Sequence, residues 1–208
     1  MEEGKFNGFL TELQIDALKE VGNIGAGNAA IALSEMVEKK VDLSVPKASI
    51  LPLVKVPELV GGPEVPVAGV YLRIVGDTHG SILLLLERDS AMSLAELMVM
   101  QKLGGPDDEE VKRSALQETG SILSGAYLCA LGELTGLVFK QSVPAFAIDM
   151  AGAIMDYVLI DHAEHEDYVL VVETDFKVEG VKIQGHLVLF PDLGTLSTIL
   201  ERLGVPIE

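Results

Sequence analysis

The sequence predicts an α+β fold: an internally duplicated, pseudo-twofold domain with long helices packed on a largely antiparallel sheet. Residues 16–46 and 114–144 align without a gap at a constant offset of 98, and 12 of the 31 positions are identical. The identities include Glu20/Glu118, Gly22/Gly120, Gly27/Gly125, Glu35/Glu133 and a closing Ser-Val-Pro at 44–46 and 142–144. A repeat that keeps glycines, glutamates and a trailing proline in register reads as duplication. Each copy then passes into short apolar runs joined by tight turns, which favour antiparallel pairing.

The elements follow in order. Residues 10–36 read as a helix with Leu10, Leu13, Leu18, Val21 and Ile24 on one apolar stripe. Strands are expected at 41–45, 70–75 and 81–86, with a turn at 76–80 and Pro52, Pro57, Pro63 and Pro66 in the first connections. An amphipathic helix follows, and Gly-Gly-Pro-Asp-Asp at 104–108 breaks the pattern, dividing the chain into halves 1–105 and 106–208. The second half repeats the plan with a helix at 110–136 and strands at 138–143, 169–173 and 187–190. The last of these leads into another amphipathic helix. Its stretch from 145 to 168 differs from the first half and is expected to hold an extra helix.

Composition narrows the function. Apolar residues make up 49% and charged residues 23%, an ordinary globular balance. A formal charge of −17, from 15 basic and 32 acidic residues, argues against a nucleic-acid backbone or an anionic membrane as partner. It suits a partner with a basic docking face, and equally serves solubility. The single cysteine, Cys129, excludes an internal disulfide, and its apolar neighbours predict a buried, inert thiol. Residues 1–8 are acidic and polar rather than leader-like, and the apolar runs are far shorter than a membrane span, so a cytoplasmic, monomeric protein is expected.

The candidate chemistry lies on the long helices. Asp16, Glu20, Asn23 and Gly27 are spaced four, three and four apart and share one stripe. Ser114, Glu118, Ser121 and Gly125 occupy the matching stripe of the second copy. A carboxylate one turn from an amide, beside a glycine with no side chain, makes a surface that a partner can approach closely. Helix-interior glycines cost about 1 kcal/mol each relative to alanine, so Gly22, Gly25 and Gly27 call for close packing or close approach. A single such stripe would read as a solvated face; its repetition favours a site.

Gly25-Ala-Gly27-Asn-Ala-Ala30 fits G-x-G-x-x-A, but a dinucleotide site needs a preceding strand, and here a helix precedes it. His162, Glu164, His165, Glu166 and Asp167 have metal-like composition without fixed spacing and read as a solvated loop. No Ser-His-Asp or Cys-His constellation and no P-loop stands out.

The spacing Asp16-x3-Glu20-x2-Asn23-x22-Pro46 resembles the signature of the CheC/CheX/FliY family of chemotaxis phosphatases. Ser114-x3-Glu118-x2-Ser121-x22-Pro144 matches it again, except that serine replaces the family's asparagine. The resemblance covers nearly the whole chain and is nearest the CheC members, since FliY carries a further domain and CheX a single motif. It implies hydrolysis of the aspartyl phosphate of the response regulator CheY. Glu20 and Glu118 would pair with a lysine of the regulator and Asn23 would reach towards its phosphate, while Ser121 has a shorter arm. Asp16, Gly27 and Ser114 would belong to the same docking stripes. No cofactor is expected on this chain, and the required Mg2+ would sit in the partner. The resemblance also implies a complex with the deamidase CheD, docked on the extra helix of the second half. Asp149 and Met150, in the stretch 147–156, are its contact candidates. The alternative is a regulatory binding protein for CheD and phosphorylated CheY with negligible turnover.

Overall fold

The computed structural model describes residues 10–99, 108–161, 168–191 and 194–206. The first helix, α1 (Glu12–Val37), opens on a reciprocal cap: the Thr11 hydroxyl accepts from Gln14 N–H, and the Gln14 side chain accepts from Thr11 N–H. Its buried face is Leu18, Val21, Gly22, Gly25, Ala26, Ala29, Leu33 and Val37, a three-and-four spacing. Leu13 departs from the expected stripe and is 67% exposed. Gln14 takes the inward position, its amide donating to the Val205 and Pro206 carbonyls near the chain's far end at 3.2 and 2.8 Å.

After α1 come β1 (Val41–Ser44), β2 (Ala48–Pro52), a 3-10 segment (Leu53–Val60), β3 (Pro66–Gly76), β4 (Gly80–Glu87) and α2 (Arg88–Val99). Then follow α3 (Glu109–Thr135), β5 (Phe139–Gln141), β6 (Ala145–Met150), α4 (Ala151–Asp161), β7 (Tyr168–Val178), β8 (Val181–Pro191) and α5 (Thr195–Arg202). Asp108 caps α3 by accepting from the N–H groups of Glu110 and Val111. The expected metal-like cluster from His162 to Asp167 and most of the Gly104–Asp108 break lie outside the described residues.

One eight-stranded antiparallel sheet runs β1-β7-β8-β4-β3-β5, with β2 also on β7 and β6 also on β3. Early strands thus pair with late ones. Val41 faces Val178 as Phe139 faces Gly76, and Ala48 faces Val172 as Phe146 faces Val70. The middle of the order is the β4–β8 ladder, where Leu84 lies opposite Leu187.

Alternation along the strands feeds two cores. Val70, Leu72, Ile82, Leu84, Val172 and Leu187 point to the larger one, under α1, α2, α3 and α5. Val67, Tyr71, Leu83, Leu85, Val171 and Val188 point to the smaller one, beneath the 3-10 segment and α4.

Two expectations for the second half are corrected here. The strand expected at 138–143 is shorter, Phe139–Gln141. The stretch expected to be an extra helix begins as a strand, so Asp149 and Met150 belong to β6 and the helix starts at Ala151. Backbone pairing with β3, from Tyr71 opposite Ala145 to Pro66 opposite Met150, overrides the helical propensity of alanine and methionine. Nor is α4 an addition: the 3-10 segment follows β2 as α4 follows β6, and both cover the smaller core.

Candidate functional site

The helices α1 and α3 pack against each other on one face of the sheet, and two buried glycines of α1 are explained by that packing. A Cβ on Gly25 would stand 2.9 Å from Tyr127 Cα, so the helix backbones cross there at a distance only glycine allows. Gly22 faces the methyls of Val45 and Val172, each 3.3 Å from where its Cβ would be. Gly25 therefore serves a helix crossing in the middle of α1, and the dinucleotide-like motif opens no helix.

Gly27 is different. Among the described residues nothing lies within 4 Å of its Cβ position, so none of their contacts explains it. It lies on the exposed stripe with Asp16, Glu20 and Asn23. Among the described residues Glu20 meets no ion-pair partner, and neither does Glu118 on α3. Asn23 is tethered: its Oδ1 accepts from the backbone N–H of Val45 at 3.4 Å.

On α3, Ser114 and Glu118 are exposed, while Ser121 and Gly125 are half-buried. The difference is Gln141 at the end of β5. Its amide donates to the Ser121 carbonyl at 3.2 Å and lies 3.5–3.8 Å from the Cβ position of Gly125. Gln117 donates to the Pro144 carbonyl at 3.2 Å. The structure thus brings acid, amide and glycine together openly on α1, whereas on α3 a glutamine from the neighbouring strand binds the Ser121 backbone carbonyl and lies over the glycine.

Asp149 and Met150 lie well apart in sequence from both stripes and are exposed at the end of β6. Asp149 Oδ1 accepts from Met150 N–H at 2.8 Å. Asp149 also borders a cavity of about 330 Å³ between β6 and α4, with Tyr71, Phe146, Ile154, Tyr157 and Val158 among its walls.

Cys129 is exposed, not buried as its neighbours imply, because Leu128 and Leu131 take the inward positions of α3 and leave it outside. Desolvation and then the Glu133 carboxylate push its thiol up from the usual range, which disfavours the reactive thiolate. Among the described residues no three His, Cys, Asp or Glu side chains gather as a metal site, and no helix is long and apolar enough to cross a membrane. Sequence reasoning missed Val45 and Gln141. For Val45 the proline that follows it in the motif was a usable signal, whereas nothing in the sequence marks Gln141.

The fold and its stripes define a class: an α+β protein with two long helices carried on one sheet, the polar stripe of α1 open to solvent and that of α3 partly covered. FliY of Thermotoga maritima has this fold, with a TM-score of 0.73 over 94% of this chain and 98% of that one, at 22% identity. Residues 13–50, which hold the α1 stripe and Pro46, match the CheC-like family. CheY-P phosphatase CheC of Bacillus subtilis (strain 168) is 34% identical over 208 residues, 96% of this chain and 97% of that protein. The flagellar motor switch phosphatase FliY of the same organism is 33% identical over 119 residues, 56% of this chain and 31% of FliY. The chain belongs to the CheC-like family.

Proposed function

We propose that this protein is a phosphatase that hydrolyses the aspartyl phosphate of CheY-P, with Glu20 and Asn23 as its working pair. The observation that carries this is the open stripe of α1: an exposed carboxylate, an exposed amide one turn on, and a glycine with nothing packed on it. The name of the B. subtilis relative supports the substrate.

Glu20 docks by pairing with a lysine beside the phosphorylated aspartate. Asn23 then lies over the phosphoryl group. Its NH2 donates to a phosphoryl oxygen, while its Oδ1 accepts from a water held in line with the leaving carboxylate. The water oxygen forms a bond to phosphorus as the bond from phosphorus to the aspartyl oxygen breaks. The products are free aspartate and inorganic phosphate, the water's proton passing to phosphate or solvent. A neutral amide does this without repelling the phosphoryl oxygens. Magnesium belongs to the partner's phosphorylation site in this reading, and Asp16 and Gly27 belong to the docking face.

Glu118 and Ser114 offer a second docking stripe, weak in turnover because Ser121 is short and Gln141 lies over it. The shared registers of the early and late strands support the reading of the chain as two related halves, 1–105 and 106–208. A second role, holding CheD, is favoured by one observation. Exposed Asp149 and Tyr157 line the cavity between β6 and α4, and exposed Met150 follows Asp149 at the end of β6. The first role is tested by following phosphate release from phosphorylated CheY with wild type, Glu20→Ala and Asn23→Ala. Turnover unchanged in both variants would rule it out. The second is tested by CheD binding to Asp149→Ala with Met150→Ala, where undiminished affinity would rule out this surface.

A further inference from the structure

Resting on the proposed role of Asn23, we infer that the backbone N–H of Val45 is a positioning group for that amide, and that Gly22 is the seat which puts it in place. Val45 N lies 3.4 Å from Asn23 Oδ1. An N–H group only donates, so the carboxamide turns its oxygen to Val45 and its NH2 outwards. On an exposed helix face an asparagine amide otherwise has a broad, two-fold preference about its last torsion. In the flipped state it would present oxygen to phosphoryl oxygens. The tether removes that state and leaves Oδ1 one lone pair for the attacking water. The bond is long for N–H···O, as hydrogen bonds at catalytic sites often are before a partner docks.

Val45 can serve this way because its own position is fixed twice. Its side chain is buried against Gly22, where a Cβ would stand 3.3 Å from both of its methyls. Its backbone precedes Pro46, which confines it to extended conformations. The second half lacks the arrangement, although Ser142-Val143-Pro144 repeats the tripeptide. Val143 is 87% exposed, and the atoms nearest the Cβ position of Gly120 are all those of Val70, the counterpart of Val172. The half that keeps the asparagine keeps the seated valine, and the half with serine has lost both.

The direct experiment replaces the Val45 amide with an ester, by incorporating the α-hydroxy analogue of valine at position 45 of the full chain. This removes the N–H and leaves every side chain. With phosphorylated CheY as substrate, kcat should fall about tenfold while KM stays within about twofold, because Glu20 still docks. In the Asn23→Ala background the ester should cost nothing more. Exchange of the Val45 amide proton should be slower in wild type than in Asn23→Ala. Gly22→Ala provides a second route: it should lower kcat by displacing Val45, and adding Val45→Ala should restore much of the loss by removing two of the three methyls nearest the new Cβ. An ester variant with unchanged kcat, or a Gly22→Ala loss that Val45→Ala leaves untouched, would overturn the inference while the proposed function stood. Full activity in Asn23→Ala would overturn both.

Discussion

Ser44-Val45-Pro46 and Ser142-Val143-Pro144 are the same tripeptide at the ends of matching strands, yet Val45 is 4% exposed and Val143 87%. The one beside Asn23 is folded in and holds that amide; the one beside Ser121 is turned out to solvent. A similar contrast appears at the glycines. Gly27 is open, and Gly125 lies under the Gln141 amide, in a place where the first half has Leu43. On the proposed reading, the comparison teaches that the motif residues are not enough: the site also needs a strand end that fixes the amide and a neighbour that leaves the helix surface clear.

The largest effect expected is catalytic. Asn23→Ala should lower dephosphorylation of CheY-P about a hundredfold, the order of loss that misplacing a reacting group produces, while Ser121→Ala stays within about twofold. Single-turnover phosphate release on both variants checks this, and equal losses would erase the distinction between the stripes.

Next comes packing. Gly25→Ala puts a methyl 2.9 Å from the Tyr127 backbone and should destabilise the fold by about 1–3 kcal/mol. Gly125→Ala meets only the flexible end of Gln141 and should be neutral or stabilising by up to about 1 kcal/mol. Urea denaturation of the two proteins side by side reads the difference.

A smaller effect concerns repair of the second stripe. Ser121→Asn alone should raise turnover by less than about twofold, because Val143 is not seated to hold the new amide. Adding Gln141→Leu, which copies the first half, should improve on it. The sharpest version is made in the Asn23→Ala background, where any recovered rate belongs to α3.

The smallest effect is at Gly27. With open space around it, Gly27→Ala should stabilise the helix by about 0.5–1 kcal/mol and still weaken docking, seen as a raised KM with kcat nearly unchanged. Improved stability with unaltered KM would show that the bare surface at Gly27 has no part in docking.

Much of this was legible beforehand. Both long helices, their polar stripes and the antiparallel class follow from local periodicity, and a helix carries its phase over many turns without outside help. The failures have two causes, strand pairing across the chain and helical phase within it. Residues 145–150 have helix-forming composition and become β6 only because β3 offers an edge to pair with. Leu13, expected on the apolar stripe, stands five residues before Leu18 and out of phase with it, while Gln14, four residues before Leu18, takes the inward place and reaches the carbonyls of Val205 and Pro206. Cys129 sits in an apolar run, where helical phase and not neighbourhood decides exposure. Pro46 marks the strand end that holds the tether at Val45, but two identical tripeptides cannot announce that they differ, and nothing marks Gln141.

The sheet order has a consequence for how such a chain can change. β1 and β2 add to β7, β5 and β6 add to β3, and α1 rests its Gly22 on Val172 as α3 rests its Gly120 on Val70. Each half therefore builds the floor beneath the other's helix. A chain severed between α2 and α3 would yield two fragments with half-built floors, able to fold only by finding each other again. In the proposed reading the chemistry of α3 can weaken at a single residue, Ser121, whereas β7 must stay, because it pairs with β1 and β2 and places Val172 under Gly22. On the reading of two related halves, a chain woven in this way can lose the chemistry of one helix without being able to shed the half that bore it.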